Sequence, residues 1–455
     1  MLDGMFNARR VAVVGVSNNP ANAGRGIISN MIRLEYKGDI FPVGRSGGEI
    51  EGRPIYRAVD EIPGEIDLGV IMVPALFVAE ALKACGQKGA KWAVIPSSGF
   101  GEYEDDRLAL EEQLLTIARR YGMRFVGPNC LGIVNFATGL STPFAPLFFE
   151  KLHKGPVSIV AQSGAVAQGL CSMISEYGPG VNKFISMGNK LNLDEVDFVD
   201  YLADDSSTDV ICMYLEDIRR GRQLMDAARR CSKPVLVHKG GISAAGFRVA
   251  KSHTAALAVN NAVLDAAFRQ AGLVRIQGMR KMAIASGVVR LPKLQGNRLA
   301  VITPSGGNSV IIGDLCEEHG FVLPPIDQQT LDDIEQNGRA GVIHLTNPLD
   351  LGDIWDGNVF VDSIRRVISL PYIDGAIVVF PLGSSISGMF GNGSDRVAAQ
   401  IKEIGLKAGK PVVLSSMSGS VGITEVMHKL DYPIIVDPED TVEAMVALLH
   451  YSRKH

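Results

Sequence analysis

The chain has 455 residues, of which 46% are hydrophobic and 21% charged, and its formal net charge is −4. This balance is typical of soluble globular proteins, and without a basic tail or patch it gives no support to nucleic-acid or anionic-membrane binding. No apolar run reaches the roughly 18 residues of a membrane span, and the N-terminal segment lacks a signal-peptide core. The six cysteines form no CxxC pair, so we expect reduced thiols in a cytoplasmic protein without disulfides or zinc.

Short β-branched runs alternate with helical patterns along almost the whole chain. Typical runs are VAVVGV (11–16), VICMYL (210–215) and AIVVFP (376–381), and typical helical stretches are 105–122 and 260–272. Continuous apolar strands joined by helices are typical of parallel sheets that are covered on both faces. The sequence therefore predicts an α/β, doubly wound fold.

Two stretches break this periodicity, the proline-rich segment 128–156 and the segment 287–298. They separate blocks of ordinary domain size. We predict a Rossmann-like domain over 1–128, a flavodoxin-like domain over 129–290 and a second flavodoxin-like domain over 297–455.

The second and third blocks share one design. VSIVAQSGAVAQGL (157–170) and LAVITPSGGNSVIIGDL (299–315) each combine a strand, a Ser-Gly turn and a helix start of small residues. Each is followed by a Lys-Pro-strand element, KPVLVHKGG (233–241) and KPVVLSSMSG (410–419). This pattern predicts a duplicated fold, and the alternative is that all α/β domains share such a plan.

The front of the chain carries a glycine-rich stretch, VAVVGVSNNPANAGRG (11–26), before a predicted helix over 28–38. A helix N-terminus stabilises phosphate through its unpaired N–H groups and its positive dipole end. The spacing is not GxGxxG, and FPVGRSG (41–47) has Arg45 where an NAD enzyme would have an acidic residue. A cation there favours CoA or NADP, and the alternative is a structural turn without a ligand.

Several segments together resemble a known family. They are VGPNCLGIVN (126–135), VAQSGAVAQ (160–168), YLEDIRRG (214–221), KSHTAALAVNNAVLDAAFRQAGLVRI (251–276) and ITPSGGNS (302–309). The chain resembles, over essentially its whole length, the alpha subunit of ADP-forming acetyl-CoA synthetases, and more distantly succinyl-CoA synthetase. The resemblance implies a CoA-binding domain followed by two flavodoxin-like ligase domains.

Two segments depart from the family pattern. The family usually has glycine after Ser-His-Thr and again four residues later, where this chain has Ala255 and Val259. In the second strand segment the family usually has Asn-Pro-Lys, where this chain has Gly44-Arg45.

The resemblance implies three coupled reactions. Acyl-CoA and phosphate give acyl phosphate and CoA, the acyl phosphate phosphorylates a histidine, and the phosphohistidine passes its phosphoryl group to ADP. His253 in Ser-His-Thr is the predicted nucleophile, because a neutral imidazole is a good nucleophile near pH 7. By resemblance Glu216 orients the ring, and Asp217 is its nearest rival. His238, His319 and His344 lack such a context and are interpreted as structural.

The two Ser-Gly turns each begin a predicted helix and offer backbone N–H groups to the transferred phosphate. We expect them to converge on one phosphoryl group, and the alternative is two ordinary βα turns. The predicted phosphate ligands are Ser163, Gly164, Gly306, Gly307 and Asn308.

Further residues are predicted to contact the acyl group and CoA. Asn129 matches a family segment near the acyl group, where an amide can stabilise the acyl-phosphate carbonyl. The predicted CoA contacts are Gly15, Ser17, Asn18, Gly24, Arg25, Gly26, Val43, Arg45, Val73 and Pro74.

The sequence contains no GxxxxGK[ST] loop, no recognisable ATP-grasp domain and no metal-ligand pattern. The resemblance therefore implies a separate ATP-grasp beta subunit in a hetero-oligomer, with Mg-ATP or Mg-ADP bound through that partner. Two alternatives remain open, a non-catalytic CoA-binding regulatory protein, to which Ala255 and Val259 would point, and an NADP-dependent oxidoreductase.

Overall fold

The computed structural model describes residues 2–101, 108–147, 152–246, 248, 260–336, 343–354, 356–382, 394–416 and 422–453. The chain divides into two compact units. The first unit contains Met1–Ser175 and Gly180–Gln277, and the second contains Glu176–Pro179 and Gly278–His455. The domain bounds 1–128, 129–290 and 297–455 stay a prediction.

The first sheet of the first unit contains five parallel strands. The strands are β1 (Arg10–Val14), β2 (Asp39–Val43), β5 (Leu68–Ile71), β6 (Trp92–Val94) and β7 (Arg124–Val126), with a small hairpin of β3 (Glu49–Ile50) and β4 (Arg53–Pro54). The helices are α1 (Asp3–Phe6), α2 (Ala23–Arg33), α3 (Ala75–Gln87) and α4 (Leu108–Tyr121), with a 3-10 turn at Val59–Glu61. The order β2-β1-β5-β6-β7 reverses between β1 and β5, which is where such sheets bind ligands.

The second sheet of the same unit contains seven strands. They are β8 (Gly132–Asn135), β9 (Leu140–Ser141), β10 (Lys154–Ala161), β11 (Val181–Ser186), β12 (Val210–Leu215), β13 (Val235–Lys239) and β14 (Val274–Arg275). The helices are α5 (Gly164–Tyr177), α6 (Glu195–Asp204), α7 (Gly221–Arg230) and α8 (Asn261–Ala271). The order is β14-β13-β12-β10-β11-β8-β9, and β8 pairs antiparallel with β11. The stretch 128–156 is thus more than a connection, because it adds two antiparallel strands to the sheet edge.

The second unit contains the third sheet. Its strands are β15 (Leu299–Thr303), β16 (Leu349–Asp350), β17 (Gly375–Phe380), β18 (Val412–Ser416) and β19 (Ile434–Ile435). Its helices are α9 (Met279–Val288), α10 (Gly306–Glu318), α11 (Gln328–Glu335), α12 (Gly357–Ser369), α13 (Ser394–Ala408), α14 (Ile423–Leu430) and α15 (Pro438–Ser452). None of the described helices is both long and apolar enough to cross a membrane.

All three sheets place their parallel strands in the same order. In the order β16-β15-β17-β18-β19 the second strand along the chain lies at one edge, the first lies next to it, and the third, fourth and fifth follow on the other side of the first. The α/β class with parallel sheets, predicted from the sequence, is confirmed. Because the first sheet shares this order, the topology alone does not separate a duplication from a common α/β plan.

The two sheets of the first unit share an apolar core. The Phe6 ring stacks on Tyr201 with ring centroids 4.9 Å apart and meets Phe198 edge-on at 6.5 Å. The Asn135 side-chain amide donates to the Phe6 carbonyl at 3.1 Å. Helix α1 therefore contacts both sheets of this unit, through β6 and β8.

The predicted helix over 28–38 is wrong in its bounds. Helix α2 begins at Ala23 and ends at Arg33, because the Asn22 side chain caps it by accepting from the Arg25 amide at 3.2 Å. Gly24 and Gly26 consequently lie in the first turn of the helix and not in a loop before it. A Cβ on Gly26 would lie 2.2 Å from the Phe144 carbonyl oxygen, so close packing explains that glycine.

Candidate active site

The crevice at the switch point of the first sheet depends on two glycines. Gly15 has φ +104°, and a Cβ there would lie 1.9 Å from the Met72 carbonyl oxygen. A Cβ on Gly44 would lie 1.7 Å from the Val16 carbonyl oxygen. In this structure only glycine permits these approaches. The carboxyl ends of β1, β2 and β5 thereby come together.

Arg45 stands exposed beside this crevice. Its guanidinium lies 5.1 Å from the centroid of the Phe77 ring, a cation–π contact, and Phe77 is itself 44% exposed. Phe77 lies in the first turn of α3, where its amide donates to the Pro74 carbonyl at 2.9 Å. The structure therefore brings Arg45, Val73 and Pro74 to one edge, and it adds Phe77, which our sequence reasoning missed.

Of the remaining residues predicted to contact CoA, some are exposed and others are engaged in contacts within the protein. Asn18 is exposed over the loop after β2, where its amide nitrogen lies 2.7 Å from a Cβ placed on Gly48. Ser17 donates its backbone amide to the Asn22 side chain at 3.3 Å. The Val43 side chain is buried, and its carbonyl accepts from the Gly15 and Val16 amides at 2.9 Å. That these residues contact CoA stays a prediction.

Asn129 lies where the first sheet leads into the second. It has φ +59° and follows the cis peptide bond between Gly127 and Pro128. Its backbone amide donates to the Ser97 carbonyl at 2.8 Å, and its exposed side-chain amide donates to Asn189 Oδ1 at 3.3 Å. The predicted acyl-binding residue is thus attached to the loop that follows β11.

The first Ser-Gly turn lies on the same edge. Helix α5 begins at Gly164, directly after β10, and Ser163 Oγ accepts from the Val166 amide at 3.4 Å. A Cβ on Gly164 would lie 2.6 Å from Leu131 Cγ. The helix start is therefore packed against the segment that follows Asn129.

Glu216 follows the last residue of β12 and is half-buried. The strand order reverses between β10 and β12, so Ser163 and Glu216 flank the switch point of the second sheet. Burial and the neighbouring Glu216 carboxylate raise the pKa of Tyr214 to about 12. Tyr214 therefore stays neutral beside Glu216 at physiological pH.

Asp217, the rival for the role of Glu216, is engaged in structural contacts. One carboxylate oxygen lies 2.6 Å from Lys190 Nζ and accepts from Gln162 Nε2 at 2.8 Å, and the other lies 3.0 Å from Arg219 Nε. Burial opposes ionisation, but the Lys190 ammonium holds the pKa of Asp217 below its ordinary value. This distribution of contacts favours Glu216 as the group available to a ligand.

Our sequence reasoning missed the buried residues that hold this region. They are Gln162, Lys190, Glu195 and Lys239. Gln162 lies inside the VAQSG segment already singled out, and Lys190 closes a Gly-Asn-Lys turn just after an apolar strand. A lysine at the end of a buried strand, or a few residues after it, is the signal that would have identified Lys239 and Lys190.

The second Ser-Gly turn lies in the other unit and has different surroundings. Ser305 Oγ accepts from the Asn308 amide at 3.5 Å at the start of α10. Gly306 and Gly307 are exposed, and a Cβ on Gly307 would meet no atom within 4 Å. A Cβ on Gly306 would lie 2.9 Å from Asp350 Oδ2, so a carboxylate stands beside this helix start.

His253, Ala255 and Val259 lie outside the described residues, as do the remaining residues of the Ser-His-Thr loop. His238 Nδ1 lies 3.1 Å from the Ile276 carbonyl oxygen, and the His238 ring stacks on Tyr214 at a centroid distance of 5.7 Å. Burial lowers the pKa of His238, which agrees with a structural interpretation. Within the described ranges, no group of three His, Cys, Asp or Glu side chains is placed to hold a metal ion.

Two family models match the chain. Residues 9–135 match a CoA binding domain, and residues 154–288 match a succinyl-CoA ligase-like flavodoxin domain. These ranges contain the crevice with Arg45 and the switch point with Glu216.

Curated relatives and solved structures agree with this assignment. The chain is 33% identical, over 100% of its length and 98% of the relative, to the alpha subunit of an ADP-forming acetate–CoA ligase II of Pyrococcus furiosus. It is 29% identical, over 98% of its length but 64% of the relative, to an ADP-forming 4-hydroxybutyrate–CoA ligase of Nitrosopumilus maritimus.

A solved structure of a dinucleotide-forming acetyl-coenzyme A synthetase 1 from Ca. Korarchaeum cryptofilum, in complex with phosphate and ADP, is similar with a TM-score of 0.87. The two chains are 29% identical, and the match covers 100% of this chain and 97% of that one. The full-length similarity to the Pyrococcus furiosus alpha subunit places this chain in the family of ADP-forming acyl-CoA ligase alpha subunits.

Proposed function

We propose that this chain is the CoA-binding, phosphohistidine-carrying subunit of an enzyme that interconverts acyl-CoA, phosphate and ADP with acid, CoA and ATP. The observation that carries the proposal is the half-buried Glu216 carboxylate at the switch point of the second sheet, beside the α5 start at Ser163-Gly164. A carboxylate and the backbone amides of a helix start suit the two ends of a phosphohistidine, the ring N–H and the phosphoryl oxygens.

His253 is the proposed nucleophile. One imidazole nitrogen attacks the phosphorus of the acyl phosphate, the bond from phosphorus to the acyl oxygen breaks, and the carboxylate leaves. The other ring nitrogen donates its N–H to Glu216, which fixes the tautomer and stabilises the positive charge that develops on the ring. Tyr214 supports this role because its neutral hydroxyl lies close to the Glu216 carboxylate, which raises the pKa of Tyr214.

The acyl and CoA sites follow from the first sheet. Asn129 has an exposed side-chain amide on the same edge of the unit as Ser163 and Glu216, which suits hydrogen bonding to the acyl-phosphate carbonyl. Arg45 with Phe77 offers an exposed cation over a ring beside the crevice of β1 and β5, which suits a phosphorylated ligand such as CoA.

The nucleotide step requires a partner. The Pyrococcus furiosus relative is named as an alpha subunit, and the Nitrosopumilus maritimus relative extends well beyond the part that this chain matches. We propose a separate ATP-grasp beta subunit in a hetero-oligomer, with Mg²⁺ arriving with the nucleotide, and a cytoplasmic location. Neither alternative drawn from the sequence, a regulatory protein or an NADP-dependent oxidoreductase, gains support from these relatives.

Phosphate labelling tests the proposal. With its partner subunit and radiolabelled Mg-ATP, the chain should take up an acid-labile, base-stable label that ADP removes. His253→Asn should abolish the label, and Glu216→Gln should slow its formation without weakening CoA binding. Asp217→Glu and Glu216→Asp serve as side-chain length controls for the two acidic neighbours.

Two results would contradict this assignment. A label that persists in His253→Asn would show that another residue carries the phosphoryl group. A wild-type complex that binds CoA and ATP but never labels, while Ala255→Gly restores labelling, would identify the chain as a relative that has lost the reaction.

A further inference from the structure

We infer that Lys190 is a positioning residue for Glu216, and that it joins the predicted acyl site at Asn129 to the predicted phosphohistidine site. This inference rests on the proposed function of Glu216. Lys190 lies in the turn after β11, has φ +53°, and its side chain is 1% exposed.

The backbone of Glu216 and Asp217 is held by buried side chains. Gln162 Oε1 accepts from the amides of Glu216 and Asp217 at 2.9 and 3.1 Å. Lys239 Nζ donates to the Glu216 carbonyl at 2.6 Å, and Lys190 Nζ donates to the Asp217 carbonyl at 2.9 Å. All four backbone polar groups therefore have a side-chain partner, which fixes the direction in which the Glu216 carboxylate leaves the strand.

Lys190 uses all three ammonium protons in this arrangement. Besides the Asp217 carbonyl, Nζ contacts Asp217 Oδ1 at 2.6 Å and Glu195 Oε2 at 3.0 Å. Because an ammonium group has three donors, its geometry is fully determined by these acceptors. Asp217 Oδ1 also accepts from Gln162 at 2.8 Å, so Lys190 and Gln162 form one connected network beneath Glu216.

The turn that carries Lys190 is also bonded to the Asn129 turn. The Asn189 amide donates to the Pro128 carbonyl at 2.9 Å, and the Asn189 side chain accepts from the Asn129 side chain at 3.3 Å. A Cβ on Gly188 would lie 2.2 Å from the Asn129 carbonyl oxygen, so the two turns are in close contact. Lys190 thus holds one turn against two functional residues, one on each side.

The chemistry explains why such a support matters. The acyl phosphate has to reach His253 with its reacting atoms in line, and small displacements of catalytic groups cost large factors in rate. A structural lysine that only stabilised the fold would not change the rate per folded molecule. A lysine that positions Glu216 would.

The test uses the full chain with its nucleotide-binding partner, and it must separate positioning from stability. Lys190→Met leaves the buried Glu195 carboxylate without its cation, which destabilises the fold. Lys190→Met/Glu195→Gln removes that unpaired charge, and Asp217 keeps its ion pair with Arg219, so most of the loss in thermal midpoint should be recovered. Lys183→Met is the matched control, because Lys183 is a buried lysine on the neighbouring strand β11, is 4% exposed and pairs with Asp205 at 2.6 Å.

Three quantities are to be measured for the wild type and each variant: the thermal midpoint, the CoA dissociation constant and the single-turnover rate of labelling from radiolabelled Mg-ATP. The double variant should label about 10- to 100-fold more slowly than wild type at unchanged CoA affinity, while Lys183→Met labels at the wild-type rate. If the double variant does not fold, the isosteric Asp217→Asn tests the same link and should also label more slowly.

The inference would be overturned if the folded double variant labelled at the wild-type rate. If the double variant does not fold, the same result in Asp217→Asn would overturn it. So would an equal loss in Lys183→Met. A wild-type complex that never labels would instead refute the proposed function, and the inference with it.

Discussion

The Ser-Gly turns at the starts of α5 and α10 follow the first strand of their parallel sheets, at the same switch point in the same strand order. Their surroundings nevertheless differ. Gly164 is half-buried against Leu131 and lies in the unit that contains Glu216, whereas Gly307 is exposed with open space where a Cβ would stand. The two turns therefore have the same local sequence pattern, but the α5 start is packed against neighbouring residues and the α10 start is exposed.

The two helix starts also differ in the charge beside them, because Asp350 lies next to the α10 start. Its carboxylate stands beside Gly306, within 2.9 Å of a Cβ placed there, whereas Gly164 has the apolar Leu131 in that position. A helix N-terminus attracts anions, so Asp350 already interacts favourably with the α10 start and would repel a second anion there. We expect the α5 start to contribute the larger share of phosphoryl binding.

Valine substitutions at the two glycines should have the largest effect. A Cβ on Gly307 would meet no atom within 4 Å, so Gly307→Val should lower labelling by about 100-fold or more through blocked ligand approach, at an unchanged thermal midpoint. Gly164→Val should abolish labelling and also lower the midpoint, because its Cβ meets Leu131. Stopped-flow labelling and calorimetry measure both quantities.

Gly313→Ala in the same helix α10 is the control for Gly307→Val, since its Cβ would meet Pro348 at an ordinary 3.4 Å. It should leave labelling unchanged. If Gly307→Val also labels normally, the α10 start does not approach the phosphoryl group, and the expectation that both helix starts serve one phosphate is wrong.

The crevice of the first sheet, next to the α2 start, is the third site to compare, and a substitution there should have an intermediate effect on ligand binding. Arg45→Ala removes the exposed cation beside the crevice and should weaken CoA binding by about 1–3 kcal/mol, because a charged hydrogen bond to phosphate is lost. Titration calorimetry measures this change. Arg33→Ala at the other end of α2 should leave CoA affinity unchanged. Tight NADPH binding in place of CoA binding would contradict the assignment of this crevice.

The capping serines should give the smallest effect. Ser163 and Ser305 make long cap bonds of 3.4 and 3.5 Å, whereas the Asp327 cap of α11 accepts from the Thr330 amide at 2.9 Å. Ser163→Ala and Ser305→Ala should each lower stability by about 0.5 kcal/mol, and Asp327→Ala by about 1 kcal/mol. Equal losses in thermal melting would show that the serines are full caps, and would weaken the view that these amides are kept for a ligand.

Much of the fold followed from the sequence by itself. The alternation of apolar strands with helical patterns determined the α/β class, and the run VICMYL corresponds to β12 at Val210–Leu215. The predicted strand VICMYL ends at Leu215, so the sequence also puts Glu216 at the carboxyl edge, although its predicted role came from the family resemblance. The bounds of α2 were not predicted, since the cap at Asn22 competes with a glycine-rich composition that suggests a loop.

Only the tertiary structure decided what surrounds these residues. Gly26 is required by the Phe144 carbonyl, Gly44 by the Val16 carbonyl and Gly164 by the Leu131 side chain. These are contacts between segments far apart in the chain, and nothing in local spacing reveals them. The same reason hid Lys190, because the acceptors of a buried ammonium group come from other strands and loops of the sheet. Local patterns specify which element a residue belongs to, and packing specifies which partner its polar atoms meet.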